Sequence, residues 1–179
     1  PFPTPIEAGF DPERVGRIYT SLAVAVADGR VPGAALQIGR AGRFLAPRAF
    51  GRMGPAATAA PTQPDTIFLT ASVTKPLTVT AVMLLVERGQ LLLDDPVYTL
   101  LPEFGNRGKQ AITVRQLMTH TSGLPDMVPN NLQLRQAHAP LTEFYRQIFE
   151  LEPLFAPGTH IQYQSCGTAT LAALAERLT

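Results

Sequence analysis

The feature that most constrains this sequence is the segment at residues 73–88, which is apolar on nearly every side of a helix. A surface helix carries one apolar stripe, whereas a helix that is apolar all round lies inside a protein core. We therefore predict that residues 73–88 form a buried helix. The longest apolar run in this segment, residues 81–86, is far shorter than the roughly 20 residues that cross a bilayer.

The composition favours a globular fold over a disordered chain, because 45% of the residues are hydrophobic and 16% are charged. The net charge of +1 and the scattered basic residues give no reason to expect nucleic acid or a membrane as partner. Cys166 is the single cysteine, so no internal disulfide can form. The redox compartment stays open, and the localisation is left undetermined with the cytoplasm favoured over the periplasm or the exterior.

Cap and turn residues divide the chain into elements. Asp11 followed by Pro12 is typical of a helix start, and Thr113 with Gln116 forms a capping box. The predicted elements in chain order are a helix after Asp11, strands at residues 34–39, 43–50 and 66–70, the buried helix, a short turn or helix at Asp95 and Pro96, helices capped by Thr113 and Thr142, and a final helix after residue 167. The first helix is predicted to bury Val15, Ile18, Leu22, Ala23 and Val26 on one face.

One helix, a few strands and then mostly helices predict an α+β (mixed α/β) fold. Two or three strands make a poor sheet alone, and the last helical pattern reaches Thr179 without a cap residue. We therefore expect the chain to be the N-terminal part of a longer protein.

Ser72 and Lys75 stand at the head of the apolar segment, on one face of a helix and one turn apart. The unpaired N–H groups and the dipole of a helix N-terminus disfavour a cation there. A partly buried amine in that place is expected to lose its proton more easily than a free lysine, and a neutral amine can activate a hydroxyl. Arginine could not do this, and the chain holds two lysines against thirteen arginines. The alternative is an ordinary serine cap followed by an exposed lysine.

Three stretches extend this pattern: residues 68–104 (beginning FLTASVTKPL), 112–125 (ITVRQLMTHTSGLP) and 155–178 (beginning FAPGTHIQYQSCG). Their order resembles the serine β-lactamase-related family, which includes class C β-lactamases, DD-peptidases and family VIII esterases. The similarity runs from about Phe10 to the end of the chain.

The resemblance implies a β-lactamase/transpeptidase-like fold, with an antiparallel sheet flanked by helices and a helical subdomain. Residues 1–71 would supply the N-terminal helix and the first strands, and residues 72–179 the helical subdomain with the Ser-x-x-Lys and Tyr-x-Ser motifs. The remaining strands and the family's third motif, Lys-Thr-Gly or His-x-Gly, find no counterpart in this chain. We therefore expect an incomplete sheet, and a C-terminal fragment or second chain as the partner that completes the fold.

The resemblance also implies the site residues. Ser72 would be the nucleophile, Lys75 its base and Tyr163 a proton relay, in a serine hydrolase or acyltransferase that acts on an ester or amide through an acyl-enzyme. Ser165 would bind substrate, at a position where the family more often has Asn. This departure weakens the case for β-lactam recognition and favours an esterase-like or uncharacterised branch, while β-lactam and D-Ala peptide substrates stay among the alternatives. No cofactor or metal is expected.

Other interpretations stay open. The replacement at Ser165 also fits a catalytically degraded relative that binds a ligand or a protein. A Ser-His-Asp hydrolase is disfavoured because no serine lies in a Gly-x-Ser-x-Gly elbow. We interpret His120 as a structural hydrogen-bonding residue, Ser122 as a turn residue and Cys166 as a small buried side chain. Asp94 and Asp95 are interpreted as loop and N-cap residues.

Overall fold

The first helix, α1, begins where Asp11 predicts it. In the computed structural model, which describes residues 1–179, α1 spans Pro12–Ala27. The Asp11 carboxylate accepts hydrogen bonds from the backbone N–H groups of Glu13 and Arg14, as an N-cap should. Of the predicted buried face only Val15 is buried, so the wider face was wrong. The reason is that α1 packs against a small core.

That core belongs to the first of two compact units, Pro1–Leu69 and Thr70–Thr179. Its buried residues are Ala8, Val15 and Leu45, with Phe10, Tyr19 and Ile38 packed around them.

The strands of the first unit form two short antiparallel pairs. β1 (Gly33–Leu36) pairs with β4 (Arg48–Gly51), and β2 (Gly39–Arg40) pairs with β3 (Arg43–Phe44). Between β2 and β3, Ala41 and Gly42 have positive φ angles of 49° and 75°, which form a tight turn. The two long predicted strands therefore exist as an interrupted hairpin.

The strand predicted at residues 66–70 is wrong. These residues have no strand partner, and Ile67 and Leu69 are 94% and 95% exposed. A strand needs a neighbour for its backbone hydrogen bonds, and the residue preference for extended structure does not supply one.

The second unit is helical. Its helices are α2 (Thr74–Glu87), α3 (Val114–Met118), α4 (Asn131–Gln136), α5 (Leu141–Phe149) and α6 (Ser165–Leu178), with 3₁₀ turns at Ala71–Val73, Val97–Thr99 and Pro102–Phe104. α6 packs against α2, α3 and α5 and so occupies the centre. The fully buried side chains around it include Val82, Leu117, Leu124, Leu171 and Leu174. None of the helices is long and apolar enough to cross a membrane.

The prediction that α2 is buried on all sides is wrong. Val82 and Leu85 are buried, but Leu77 is 66% exposed and Met83 and Leu84 are also exposed. Within the second unit α6 is the main helix packed against α2, and it covers one face. An apolar pattern reports the chemistry of a helix and does not report which neighbours cover it.

Of the caps predicted at Thr113, Thr142 and Asp95, only the one at Thr113 is present. The capping box of Thr113 and Gln116 is confirmed at the start of α3. Thr142 is not a cap, because α5 begins one residue earlier, directly after Pro140. Asp95 does not cap the turn after Pro96 and instead accepts a hydrogen bond from the N–H of Leu92.

Candidate active site

Ser72 lies in the 3₁₀ turn Ala71–Val73, which leads directly into α2. Lys75 follows in the first turn of α2, and its Nζ lies 3.2 Å from Ser72 Oγ. Ala71, just before Ser72, has a φ of 46°, a conformation that costs a non-glycine residue about 1 kcal/mol. The predicted pairing of hydroxyl and amine is therefore present in the fold.

Tyr163 reaches the same hydroxyl from a position 91 residues along the chain. Its phenol donates a hydrogen bond of 2.6 Å to Ser72 Oγ. Lys75 Nζ lies 4.6 Å from the centre of the Tyr163 ring. Ser72 thus contacts both side chains that the resemblance assigned to proton transfer.

The residues on either side of Tyr163 fix it in place. The N–H of Gln162 donates to the carbonyl of His120 at 2.9 Å, and the N–H of Gln164 donates to His120 Nδ1 at 3.4 Å. The side chain of Gln164 is fully buried and accepts a hydrogen bond of 2.7 Å from the Ser122 hydroxyl. Three contacts with the turn at residues 120–122 therefore hold the segment that carries the phenol.

His120 acts as the structural residue that the sequence predicted. Burial chiefly, and then the positive charge of Lys75, lower the pKa of His120 below its usual value. A neutral imidazole has an unprotonated nitrogen, as Nδ1 must be to accept from the N–H of Gln164. The ring also lies against Tyr163, with 4.9 Å between the ring centres.

Ser165, the first residue of α6, lies beside Lys75 with its Oγ 3.1 Å from Nζ. The hydroxyl of Ser165 donates to Asp126 Oδ1 at 2.7 Å, and its backbone N–H donates to the same oxygen at 2.8 Å. The structure therefore brings all four predicted site residues together. The substrate-binding role of Ser165 stays a prediction.

Asp126 and Gln164 are site residues that the sequence did not predict, and Ser122 was predicted only as a turn residue. Asp126 follows a Gly-Leu-Pro turn, where an aspartate is common for local reasons. Its contact with Ser165 joins residues 39 positions apart, which no local pattern indicates. The one signal in the sequence for Gln164 was that a glutamine stands on each side of Tyr163, at Gln162 and Gln164.

The pKa of the Tyr163 phenol is lowered, chiefly by the neighbouring Lys75 and then by Ser72. Cys166 is buried, and burial raises the pKa of its thiol to about 12, which confirms the predicted packing role. No three His, Cys, Asp or Glu side chains converge in an arrangement that could hold a metal ion.

A small cavity of about 170 Å³ adjoins the site. Asp126 and Ser165 form part of its wall, and most of the remainder is apolar. The apolar lining includes Met127, Val128, Leu141, Phe144, Ile148, Cys166 and Ala169. One side chain, Ser165, therefore borders both the cavity and Lys75.

The fold and these motifs define a class of serine-dependent proteins, and comparison with known families identifies it. The chain belongs to the β-lactamase family, whose model, described as Beta-lactamase, matches residues 20–179. Its fold is the β-lactamase/transpeptidase-like fold that the resemblance implied.

Three relatives illustrate the similarity. Esterase EstB from Burkholderia gladioli is 36% identical over 172 residues, which cover 87% of this chain and 43% of the esterase. The structure of EstCE1, described as a hydrolase with promiscuous acyltransferase activity, is 25% identical with a TM-score of 0.76, over 92% of this chain and 46% of EstCE1. A β-lactamase/D-alanine carboxypeptidase from Pseudomonas syringae is 26% identical with a TM-score of 0.73, over 90% of this chain and 43% of that protein. The chain thus spans less than half the length of these relatives.

Proposed function

We propose that the protein carrying this chain is a serine hydrolase or acyltransferase that acts on esters or amides through an acyl-enzyme on Ser72. The observation that carries the proposal is the double contact of Ser72 Oγ, with Lys75 Nζ at 3.2 Å and with the Tyr163 hydroxyl at 2.6 Å. A serine hydroxyl needs such partners because it is a weak nucleophile while it keeps its proton.

In the first step Ser72 Oγ attacks the carbonyl carbon of the substrate, and the neutral amine of Lys75 takes the hydroxyl proton. The carbonyl oxygen becomes an oxyanion in a tetrahedral intermediate. The N–H of Ser72, which lies before the first turn of α2, is the donor that we assign to this oxyanion.

In the second step the intermediate collapses, and the bond to the leaving alcohol or amine breaks. Tyr163 donates its proton to the leaving group and receives the one held by Lys75. The lowered pKa of Tyr163 supports this role, because a general acid–base group works best when its pKa lies closer to neutral pH. Water, or another alcohol or amine, then attacks the acyl carbon while Lys75 and Tyr163 take its proton. The bond from the acyl carbon to Ser72 Oγ breaks, and the same proton passes to Ser72 Oγ.

For the substrate we propose first an ester with a small apolar acyl group. The relatives include a named esterase and a hydrolase with acyltransferase activity. The adjoining cavity of about 170 Å³ is mostly apolar and borders Ser165. A β-lactam or D-Ala peptide is the second substrate class, supported by the β-lactamase/D-alanine carboxypeptidase among the relatives.

A fluorophosphonate probe tests the nucleophile without knowledge of the substrate. We expect one adduct, on the peptide that contains Ser72, when the labelled protein is digested and analysed by mass spectrometry. Ser72→Ala should abolish it, and Ser21→Ala, which changes an exposed serine of α1, should leave it unchanged. Absence of the adduct, with unchanged ester turnover in Ser72→Ala, would favour the alternative of a catalytically degraded relative that binds a ligand or protein.

A second substitution tests the base. Lys75→Arg keeps a positive charge beside Ser72 but cannot supply a neutral amine. We expect the rate of p-nitrophenyl acetate hydrolysis to fall by about 10²- to 10⁴-fold, the usual contribution of a general base. A rate close to that of the unmodified protein would show that Lys75 acts only through its charge.

The expected partner, a C-terminal fragment or second chain, stays a prediction.

A further inference from the structure

We infer that Asp126 is a positioning residue, which acts on Lys75 through the hydroxyl of Ser165. This inference rests on the proposed function, because it concerns how the Lys75 amine is presented to Ser72. The observation is an unbroken series of hydrogen bonds from Asp126 through Ser165 and Lys75 to Ser72.

The first link, between Asp126 and Ser165, consists of two hydrogen bonds. Asp126 Oδ1 accepts the Ser165 hydroxyl at 2.7 Å and the Ser165 N–H at 2.8 Å. The Asp126 carbonyl also accepts from the N–H groups of Ser165 and Cys166, both at 3.0 Å. Asp126 therefore holds both the start of α6 and the rotamer of the Ser165 side chain.

The second link follows from donor and acceptor counting. A carboxylate can only accept, so the single proton of the Ser165 hydroxyl points to Asp126. Ser165 Oγ can then only accept from Lys75 Nζ, which lies 3.1 Å away. With Ser165 Oγ as a fixed acceptor for one N–H of Lys75, the orientation of the Lys75 nitrogen toward Ser72 Oγ, 3.2 Å away, is set.

The pair Asp126 and Ser165 thereby supplies a fixed acceptor for Lys75. Serine alone could not do so, since its hydroxyl rotates and can donate or accept in several directions. This gives a physical reason why a short serine works at a position where an asparagine carbonyl would offer an acceptor directly. The other ionisable groups near this link are His120, Tyr163 and the buried Cys166.

Fluorophosphonate labelling of Ser72 is the readout, because its rate depends on the activated hydroxyl and needs no identified substrate. We expect Asp126→Ala to slow labelling by about 10- to 100-fold, as small displacements of catalytic groups do. Asp126→Asn is the conservative control. Its Oδ1 can accept the same two hydrogen bonds, so labelling should stay close to the rate of the unmodified protein. Equal losses in the two variants would overturn the inference, since they would show that charge and not the acceptor matters.

A double-mutant cycle separates positioning from support of α6. Ser165→Ala removes the hydroxyl but keeps the backbone N–H that bonds to Asp126. We expect Asp126→Ala to cause little further loss of labelling rate in the Ser165→Ala background. Additive losses would overturn the inference, because they would show that Asp126 acts through the helix terminus instead.

The rescue variant is Ser165→Asn combined with Asp126→Ala. An asparagine carbonyl can accept from Lys75 without Asp126, so labelling should recover most of the loss seen in Asp126→Ala. Failure to recover, in a protein that unfolds at the same temperature as Asp126→Ala, counts against the inference. The two proposals fail differently. No labelling of the unmodified protein overturns the proposed function, whereas normal labelling of Asp126→Ala overturns only the role of Asp126.

Discussion

At the scale of single residues, the two lysines of the chain have different partners and different surroundings. Lys75 lies at the half-buried site, whereas Lys109 is fully buried. The Lys109 ammonium donates to Asn106 Oδ1, to the carbonyl of Phe149 and to the carbonyl of Leu151, at 2.7, 2.8 and 2.6 Å. Three donors thus meet three acceptors in a fixed arrangement. The sequence pattern predicted a role for Lys75 and none for Lys109.

Burial lowers the pKa of Lys109 from 10.5 to about 8. Between these values the unfolded chain binds more protons than the folded one, so this group makes the free energy of unfolding rise with pH. The rise amounts to on the order of 3 kcal/mol over the full range. Below pH 8 the Lys109 ammonium is present in both the folded and the unfolded chain, and in this range its burial lowers the free energy of unfolding the most.

We predict that Lys109→Met lowers the free energy of unfolding at pH 7 by about 2–4 kcal/mol, because three buried acceptors lose their donor. The deficit relative to the unmodified protein should widen as pH rises from 8 towards 10.5. Urea unfolding at several pH values measures both effects. Parallel pH curves for the two proteins would show that Lys109 does not titrate as described.

At the scale of elements, the site depends on two loops that pair through their backbones. Carbonyls of the turn at residues 120–123 accept from N–H groups of residues 154–162 in three places: Leu154 to Gly123 at 2.8 Å, Gly158 to Thr121 at 2.8 Å, and Gln162 to His120 at 2.9 Å. Tyr163 follows directly after this paired stretch. The turn that follows α3 therefore also holds the segment that carries the phenol.

We predict that Gly123→Ala disrupts this pairing. Gly123 has a φ of 84°, and a Cβ there would lie 2.3 Å from the carbonyl oxygen of Phe155. The expected loss of unfolding free energy is about 2–4 kcal/mol, together with slower labelling of Ser72. Gly29→Ala is the matched control, with a φ of 70° and no atom within 4 Å of the added carbon. It should cost only about 1 kcal/mol, and equal effects would show that strain alone explains the loss.

At the scale of the whole molecule, the two units bury very different cores. The core of Pro1–Leu69 holds three buried residues, whereas the core of Thr70–Thr179 extends along α6 and has buried residues from every helix of that unit except α4, whose Leu134 packs against it. Since buried apolar area is the main stabilising term, most of the hydrophobic stabilisation lies in the second unit. The predicted α+β fold class is correct.

We predict that Leu174→Ala, at the centre of this core, lowers the free energy of unfolding by about 2–5 kcal/mol. Leu132→Ala is the control, because Leu132 in α4 is 63% exposed and should change stability by no more than about 0.5 kcal/mol. Chemical unfolding measures both variants. The folded fraction of the Leu174→Ala variant should be labelled at Ser72 at the rate of the unmodified protein. Slower labelling would show that this core substitution also displaces the site.

The sequence by itself determined the features that depend on a few neighbouring residues. The caps at Asp11 and Thr113 and the proximity of Ser72 and Lys75, three residues apart, all follow from local hydrogen bonds and from helical geometry. The position of Tyr163 was predicted only through the order of motifs that the chain shares with a family. Local hydrogen bonds and helix geometry act in the same way wherever such a segment folds.

Only the tertiary structure decided the rest. It set the contact of Tyr163 with Ser72, the link from Asp126 to Lys75 through Ser165, and the burial of Lys109. It also left much of α2 exposed and residues 66–70 without a strand partner. Each of these outcomes depends on which distant segment packs against a given residue, and residue patterns along the chain carry no direct record of that choice.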